Sequence, residues 1–458
     1  MKMLRVLIIA EAANPQWVSV PLVGWSHTQA LARVARVHLV TQVRNRPAIL
    51  EAGWVEGRDF TAIDSERLAG PLWKLASVLR GGSGRGWTTL TAVSVLSYYY
   101  FEHLVWRRFG KAIQRGDYDV VHRLTPLTPT TPSPLARHCR RAGVPFVLGP
   151  LNGGVPWPAA FDAARRQERE WLSYVRRAYR LLPGYRGTLR SAAAVVVGSR
   201  DTLSQIPASV RPKCVYLPEN AVDPERFRRP HPRRPELPLR LAFVGRLVPY
   251  KGPDMLLEAA AGLIRQGQVI VELIGEGPLR PTLESLIARE GLRDGAHLAG
   301  WVDHGKLQGR LAETDVLVFP SIREFGGGVV LEAMALRVPA LVVDYGGPAE
   351  LVTPETGWLV PLGTRLQIVA GLRAALDRLC ADPDQIVTRG AAAARRVARL
   401  FTWDRKAHQM LAIYRWALGA AADKPDFGMP LTECEGDDAL SPRSAPAAIH
   451  STPAACHP

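Results

Sequence analysis

Cysteine is scarce in this 458-residue chain and badly placed for cross-linking. The five cysteines, Cys139, Cys214, Cys380, Cys434 and Cys456, are odd in number and make no C-x-x-C pair. That argues against a disulfide framework and a zinc site, and for a reducing cytosol. Long hydrophobic runs are also missing: no window approaches the ~20 apolar residues of a membrane-spanning helix, and AAAVVVG, about the longest run, reads as a buried strand. The opening MKMLRVLIIAEAANP has too short an apolar run for a signal sequence, and Glu11 follows it with no small-residue cleavage site. No G-x-G-x-x-G follows RVLIIA, which disfavours a nicotinamide dehydrogenase. Acidic residues fall short of basic ones, 42 against 58, and the net charge of +16 calls for an anionic partner: a nucleotide diphosphate, an anionic membrane surface or nucleic acid. No RRM, zinc-finger or basic-zipper signature accompanies that charge, which argues against nucleic acid.

What the chain does have is a repeating alternation of short apolar runs and amphipathic stretches. RVLIIA (5–10), RVHLVT (36–41), YDVVH (118–122), PFVLG (145–149) and AAVVVGS (193–199) read as buried strands. Continuous rather than alternating hydrophobicity suits a parallel sheet covered on both faces. The signal stops at RRPHPRRPELP (228–238), where proline and arginine forbid a regular element, and restarts with LRLAFVG, QVIVELIG, AHLAG, DVLVFP and PALVVD. The length likewise suits two domains plus a tail. The expected organisation is an α/β domain over 1–227, a hinge over 228–238, a second α/β domain over 239–399, a crossover helix over 400–418 that returns to the first domain, and a disordered tail over 419–458. Both domains are expected to be doubly wound, with the ligand at the carboxyl ends of their strands.

Several strand ends carry candidate chemistry. In SIREFGGGVVLEAMA (321–335), Gly326, Gly327 and Gly328 fall at a strand-to-helix turn, with Glu324 before them and Glu332 one turn into the helix. A helix N-terminus offers unpaired N–H groups and a partial positive charge to a phosphate, while a carboxylate suits two sugar hydroxyls. The same residues would also make a plain βα turn with a glutamate near the helix start. FVGRLVPYKG (243–252) puts Arg246 and Lys251 just after a strand, where two cations would stabilise a departing phosphate or merely form a solvated basic loop. LIGEGPLRP and VVDYGGPAELV add glycines at two further strand ends.

Taken together these segments resemble the retaining glycosyltransferases of family 4, which have the GT-B fold: two doubly wound, Rossmann-like α/β domains facing a central cleft. The likeness runs over about residues 240–360, through GRL…KG, GEGP, a glutamate, a glycine turn, a second glutamate eight positions on, and GGPAELV. The resemblance implies that Arg246 and Lys251 bind the donor diphosphate and that Glu324 contacts the donor sugar. It further implies that the amides of Phe325, Gly326, Gly327, Gly328 and Val329 meet its hydroxyls and phosphate, and that Glu332 holds the nucleotide ribose. Arg337 stands in AMALRVP where the family usually has glycine, a departure expected to affect packing more than chemistry.

The first half matches less well. Gly24, in PLVGWSH, is the nearest candidate for a donor-side glycine loop after the first strand, and His122, in YDVVHRL, for the family's catalytic histidine; the alternative for His122 is a strand-end histidine bonded to backbone. GPLNGGVPWP resembles an acceptor-side loop of bacterial polysaccharide-type members, with Asn152, Gly153 and Gly154 lining the cleft or forming a turn. Residues 165–190 set aromatics at helical spacing among arginines, as an interfacial helix on anionic lipid would, or as a helix packed on its own domain would.

The function expected from all this is transfer of a sugar, with retention, from a nucleotide-sugar donor to a saccharide or lipid-linked acceptor, on the cytoplasmic side and peripherally at the membrane. No cofactor, metal or nucleic acid is expected, since no Asp-x-Asp pair stands at a strand end in the cleft and two cations already face the phosphates. A sugar-nucleotide epimerase of the same fold and a basic nucleic-acid-binding module are the rivals.

Overall fold

The computed structural model describes residues 3–66, 87–162, 180, 182–227 and 234–429. The interfacial segment expected over 165–190 therefore lies mostly outside the described residues, as do 228–233 of the hinge and 430–458 of the tail.

The apolar runs form two parallel sheets. The first holds β1 (Arg5–Ala10), β2 (Arg36–Gln42), β3 (Phe60–Ile63), β4 (Val120–Thr125), β5 (Phe146–Leu151), β6 (Ala194–Val197) and β7 (Cys214–Tyr216), in the order β3-β2-β1-β4-β5-β6-β7. The second holds β8 (Leu239–Val244), β9 (Val269–Ile274), β10 (Ala296–Gly300), β11 (Val316–Phe319), β12 (Ala340–Val343) and β13 (Gly357–Val360), in the order β10-β9-β8-β11-β12-β13. Every residue of β4, β5, β6, β11 and β12 is buried, which is why these strands are uninterrupted apolar runs. Strand order reverses between β1 and β4 and again between β8 and β11. Those are the switch points where a doubly wound sheet opens a crevice for ligand.

The helix Trp403–Ala417 leaves the second domain and packs on the helix Val20–Leu31 of the first. Two main-chain bonds tie its start to the end of the first domain, just before the hinge: Val222 N–H to the Phe401 carbonyl at 2.8 Å, and Trp403 N–H to the Val222 carbonyl at 3.3 Å. Its Tyr414, with no exposed surface, reaches the first sheet at His122. Arg337 takes φ 60°, the left-handed conformation usually left to glycine. Its carbonyl lies against Gly390, where a Cβ would come within 2.2 Å of the oxygen. The departure noted at this position thus puts a side-chain-bearing residue in a left-handed turn, while the contact with Gly390 on the helix Asp384–Leu400 is made by backbone alone.

Candidate active site

The loops that follow β8 and β11 are the two at the second sheet's switch point, and they are stitched together. Ile322 N–H donates to the Tyr250 carbonyl at 2.9 Å, and Ser321 Oγ to the same oxygen at 3.3 Å. This brings Lys251 and Glu324 into an ion pair, Nζ to Oε2 2.7 Å, with only 18% and 22% of their side chains exposed. Lys251 Nζ also lies 5.3 Å from the Phe319 ring centroid. Arg246 is exposed in the cleft and makes no ion pair among the described residues.

The glycine turn starts the helix Gly328–Ala335. Gly327, its N-terminal flanking residue, has φ 57°, a conformation that costs a side-chain-bearing residue energy and glycine little. No acidic residue occupies the helix's first turn, so the amides at its start keep their pull on an anion. The turn is seated from behind by Gly346 and Gly347. Gly347 N–H donates to the Glu324 carbonyl at 3.1 Å, and a Cβ at 347 would fall 1.5 Å from the Phe325 carbonyl oxygen. Two backbones meet here with no space for a methyl group.

A cleft of about 1150 Å³ opens between the domains. From the second domain Arg246, Glu324, Phe325, Gly326, Gly327, Gly328 and Glu332 line it; from the first come Asn152, Leu127 and an apolar wall of Val18, Val20, Leu22 and Val23. Lys251 joins through Glu324. A second groove of about 720 Å³, between β3 and Arg107 and Arg108, gathers none of these residues.

Four expected residues lie elsewhere. His122 is fully buried: Nδ1 is 2.7 Å from the Tyr414 hydroxyl and Nε2 is 2.6 Å from the Gly149 carbonyl. Since a carbonyl only accepts, Nε2 carries the proton and Nδ1 receives the tyrosine O–H. Burial pulls its pKa down to about 4, so it is a neutral link between β4 and the crossover helix rather than a group in the cleft. Gly24 sits within the helix Val20–Leu31, not in a loop, and its missing Cβ lets that helix press on the Ala12 carbonyl, 2.2 Å from where the atom would be. Gly153 and Gly154 form a turn behind Asn152: Gly153 N–H donates to Thr202 Oγ1 at 2.9 Å, and Gly154 N–H to Asn152 Oδ1 at 3.0 Å. Asn152 alone of that trio lines the cleft.

The loop after Asn152 instead clasps the other domain. The Arg323 guanidinium lies 5.3 Å from the Trp157 ring and 5.8 Å from the Tyr250 ring, and the Tyr345 hydroxyl donates to the Pro156 carbonyl at 2.9 Å. Nearby, Glu350 accepts the Arg200 N–H at 3.0 Å and the Tyr216 hydroxyl at 2.6 Å.

Motif reading missed Glu219 and Asn220, which enter the cleft from LPENAVD just before the hinge. Glu219 is 4% exposed. Burial pushes its carboxyl up to about 8; Glu324 adds to the rise, and Lys406 and Asn152 oppose it. Lys406, fully buried on the crossover helix and bonded to the Pro218 carbonyl, is drawn down to about 7 by the same burial. The available signal was a carboxylate one proline beyond the apolar stretch CVYL.

Residues 225–387 match the family described as Glycosyl transferases group 1. The alpha-D-kanosaminyltransferase of Streptomyces kanamyceticus is 32% identical over 245 residues, 50% of this chain and 62% of that one. The MMP alpha-(1->4)-mannosyltransferase of Mycolicibacterium hassiacum is 30% identical over 321 residues, 68% of this chain and 73% of that one. The chain thus spans less than two thirds of the first of these relatives and more of the second. Among solved structures, Anabaena HepE in complex with UDP superposes with a TM-score of 0.56 at 16% identity, covering 89% of this chain and 98% of that one. That likeness shows the fold, which is GT-B.

Proposed function

Because the chain belongs to the group 1 glycosyltransferases, we propose that it transfers a sugar from a nucleotide-sugar donor to a saccharide or lipid-linked acceptor, with retention and without a divalent ion. One observation carries the reading: Arg246, the Lys251–Glu324 pair, the glycine-turn amides and Glu332 converge at one switch point. As the bond from anomeric carbon to phosphate breaks, negative charge grows on the diphosphate and positive charge on the sugar. Fixed cations and N–H groups around the leaving oxygens lower that barrier without reorganising. In this reading Glu324 takes the sugar hydroxyls and Glu332 the ribose, both carboxylates lining the same cleft. The clasp of Trp157, Tyr250 and Arg323 across the domains would exclude water that otherwise hydrolyses the donor. Retention is carried over from the resemblance to family 4. The absence of a metal rests on two cations already facing the phosphates.

A thermal melt against UDP, GDP, ADP, CMP and dTDP tests this, UDP being the nucleotide held by the Anabaena neighbour. A nucleotide at 100 times its dissociation constant stabilises by ~2.7 kcal/mol. One nucleotide is expected to raise the melting temperature, with the shift unaltered by EDTA and lost in Arg246→Ala. No shift from any of the five would sink the reading.

The acceptor side is proposed to meet an anionic lipid surface at the inner face of the membrane. No helix among the described residues is long and apolar enough to cross a membrane. Three neighbouring helices of the first domain expose Arg107, Lys111, Arg137, Arg140, Arg141, Arg186 and Arg190, and none of these makes an ion pair among the described residues. Each cation at an anionic surface is worth about 1 kcal/mol, or about fivefold in partition. Sedimentation with phosphatidylglycerol vesicles is expected to weaken about fivefold in Arg137→Ala and again in Arg141→Ala. Equal recovery on neutral phosphatidylcholine vesicles would refute lipid-charge recognition.

A further inference from the structure

The donor-site reading leaves one buried group at the cleft floor unused. Glu219 Oε1 is 3.4 Å from Asn152 Nδ2 and lies where a Cβ on Gly326 would come within 2.5 Å of it. Asn220 Nδ2 stands 2.2 Å from the same point. Oε2 turns the other way, 2.7 Å from where a Cβ on Gly198 would sit, and has no hydrogen-bond partner among the described residues. Glycine at both 198 and 326 is what leaves room for this carboxyl.

We propose, on the basis of that donor-site reading, that Glu219 is a positioning residue for the donor. Clamped between Gly198 of the first domain and Gly326 of the second, its carboxyl sets the glycine turn at the height where the turn's amides receive phosphate. It does so in its neutral form. The titratable groups facing it are Lys406 from the crossover helix, Glu324 from the donor turn and Tyr216 from β7. An ionised Glu219 would set a second carboxylate beside Glu324 and beside an anionic ligand, and it would do so in a site with little water to screen it. With its pKa raised to about 8, the carboxyl is neutral below that pH and ionises above it, so donor affinity is full below and falls above.

The test is isothermal titration of the full chain, from pH 6.5 to 9.5, with whichever of UDP, GDP, ADP, CMP and dTDP stabilises it in the melt. Wild type is expected to lose about tenfold in affinity between pH 8 and 9.5, the span of one ionisation that opposes binding. Glu219→Ala is expected to bind about tenfold more weakly across the range, the cost of one misplaced hydrogen-bonding wall. Glu219→Gln, which keeps the shape and cannot ionise, should recover most of that loss and give a flatter profile than wild type. A Glu219→Gln profile that follows the wild-type curve overturns the proposal, as does wild-type affinity in Glu219→Ala. If the alanine variant shows no cooperative melt, the comparison of glutamine with wild type decides alone. A wild type that binds no nucleotide at pH 6.5 sinks the donor-site reading and the proposal with it; binding that ignores Glu219 sinks only the proposal.

Discussion

Lys251→Ala is expected to lower turnover by about 10²–10³, the cost of removing one preorganised donor to a developing oxyanion. The side chain is mostly enclosed, paired to Glu324 at 2.7 Å and backed by the Phe319 ring. On the proposed donor-site reading, its removal takes a fixed cation from the leaving diphosphate. It also strands the Glu324 carboxylate, unneutralised, beside an anionic ligand, so donor affinity should fall together with turnover. Glu324→Gln on the Lys251→Ala background removes the stranded charge. It should restore part of the affinity and none of the turnover, which separates charge repulsion from leaving-group stabilisation. Initial rates of nucleotide release from the cognate donor measure both. Turnover within threefold of wild type in Lys251→Ala would remove this lysine from the mechanism.

Gly347→Ala should be the most damaging single methyl group in the second domain. Its Cβ would fall 1.5 Å from the Phe325 carbonyl oxygen and 2.5 Å from the carbonyl carbon, and neither backbone is the end of a flexible side chain that could swing away. Overpacking a well-filled interior costs about 1–3 kcal/mol, and more where backbone must move. The backbone that moves here is the glycine turn. The expected result is a lower melting temperature together with nucleotide affinity reduced at least about tenfold, one factor of ten for each 1.4 kcal/mol of misplacement. Gly262→Ala, where a Cβ meets nothing within 4 Å in the middle of a helix, is the control and should disturb neither property. Unaltered nucleotide affinity in Gly347→Ala would mean that the turn does not hold the donor.

Most of the fold was legible because the strands that make its centre are buried on both faces. β1, β4, β5, β6, β8, β9, β11 and β12 all coincide with apolar runs readable in the sequence. The strands that escaped were β3, β7 and β13, and each is an edge strand. β3 is FTAI, β7 is the three-residue CVY and β13 is GWLV; short and covered on fewer sides, they need no sustained apolar run. The donor half of the site was legible for a related reason. Its residues hang on strand ends that the sheet order brings together, so motifs at strand ends were enough to predict that Arg246, Lys251, Glu324 and Glu332 would gather at one cleft. The first-domain half was not. His122 stands at a strand end as a site residue would, and nothing local reveals that Tyr414, 292 positions away, covers it. Glu219 shows the reverse case: an ordinary glutamate in sequence becomes part of the cleft floor because Lys406, Asn152 and Gly326 converge on it from three distant segments.

The chain passes between its two domains twice, once through the hinge before β8 and once at Phe401–Trp403, and the bonds between Val222 and the Phe401–Trp403 backbone lash the two passages side by side. Two adjacent tethers act as a pair of pins. Translation of one domain past the other would stretch at least one of them, whereas rotation about the line through them stretches neither. The points that travel farthest in such a rotation are those most distant from the pins. A substitution at the Val222–Thr402 bridge is therefore expected to act on how the two domains are tethered and, because Val222 and Trp403 also line the cleft, on the cleft wall beside it.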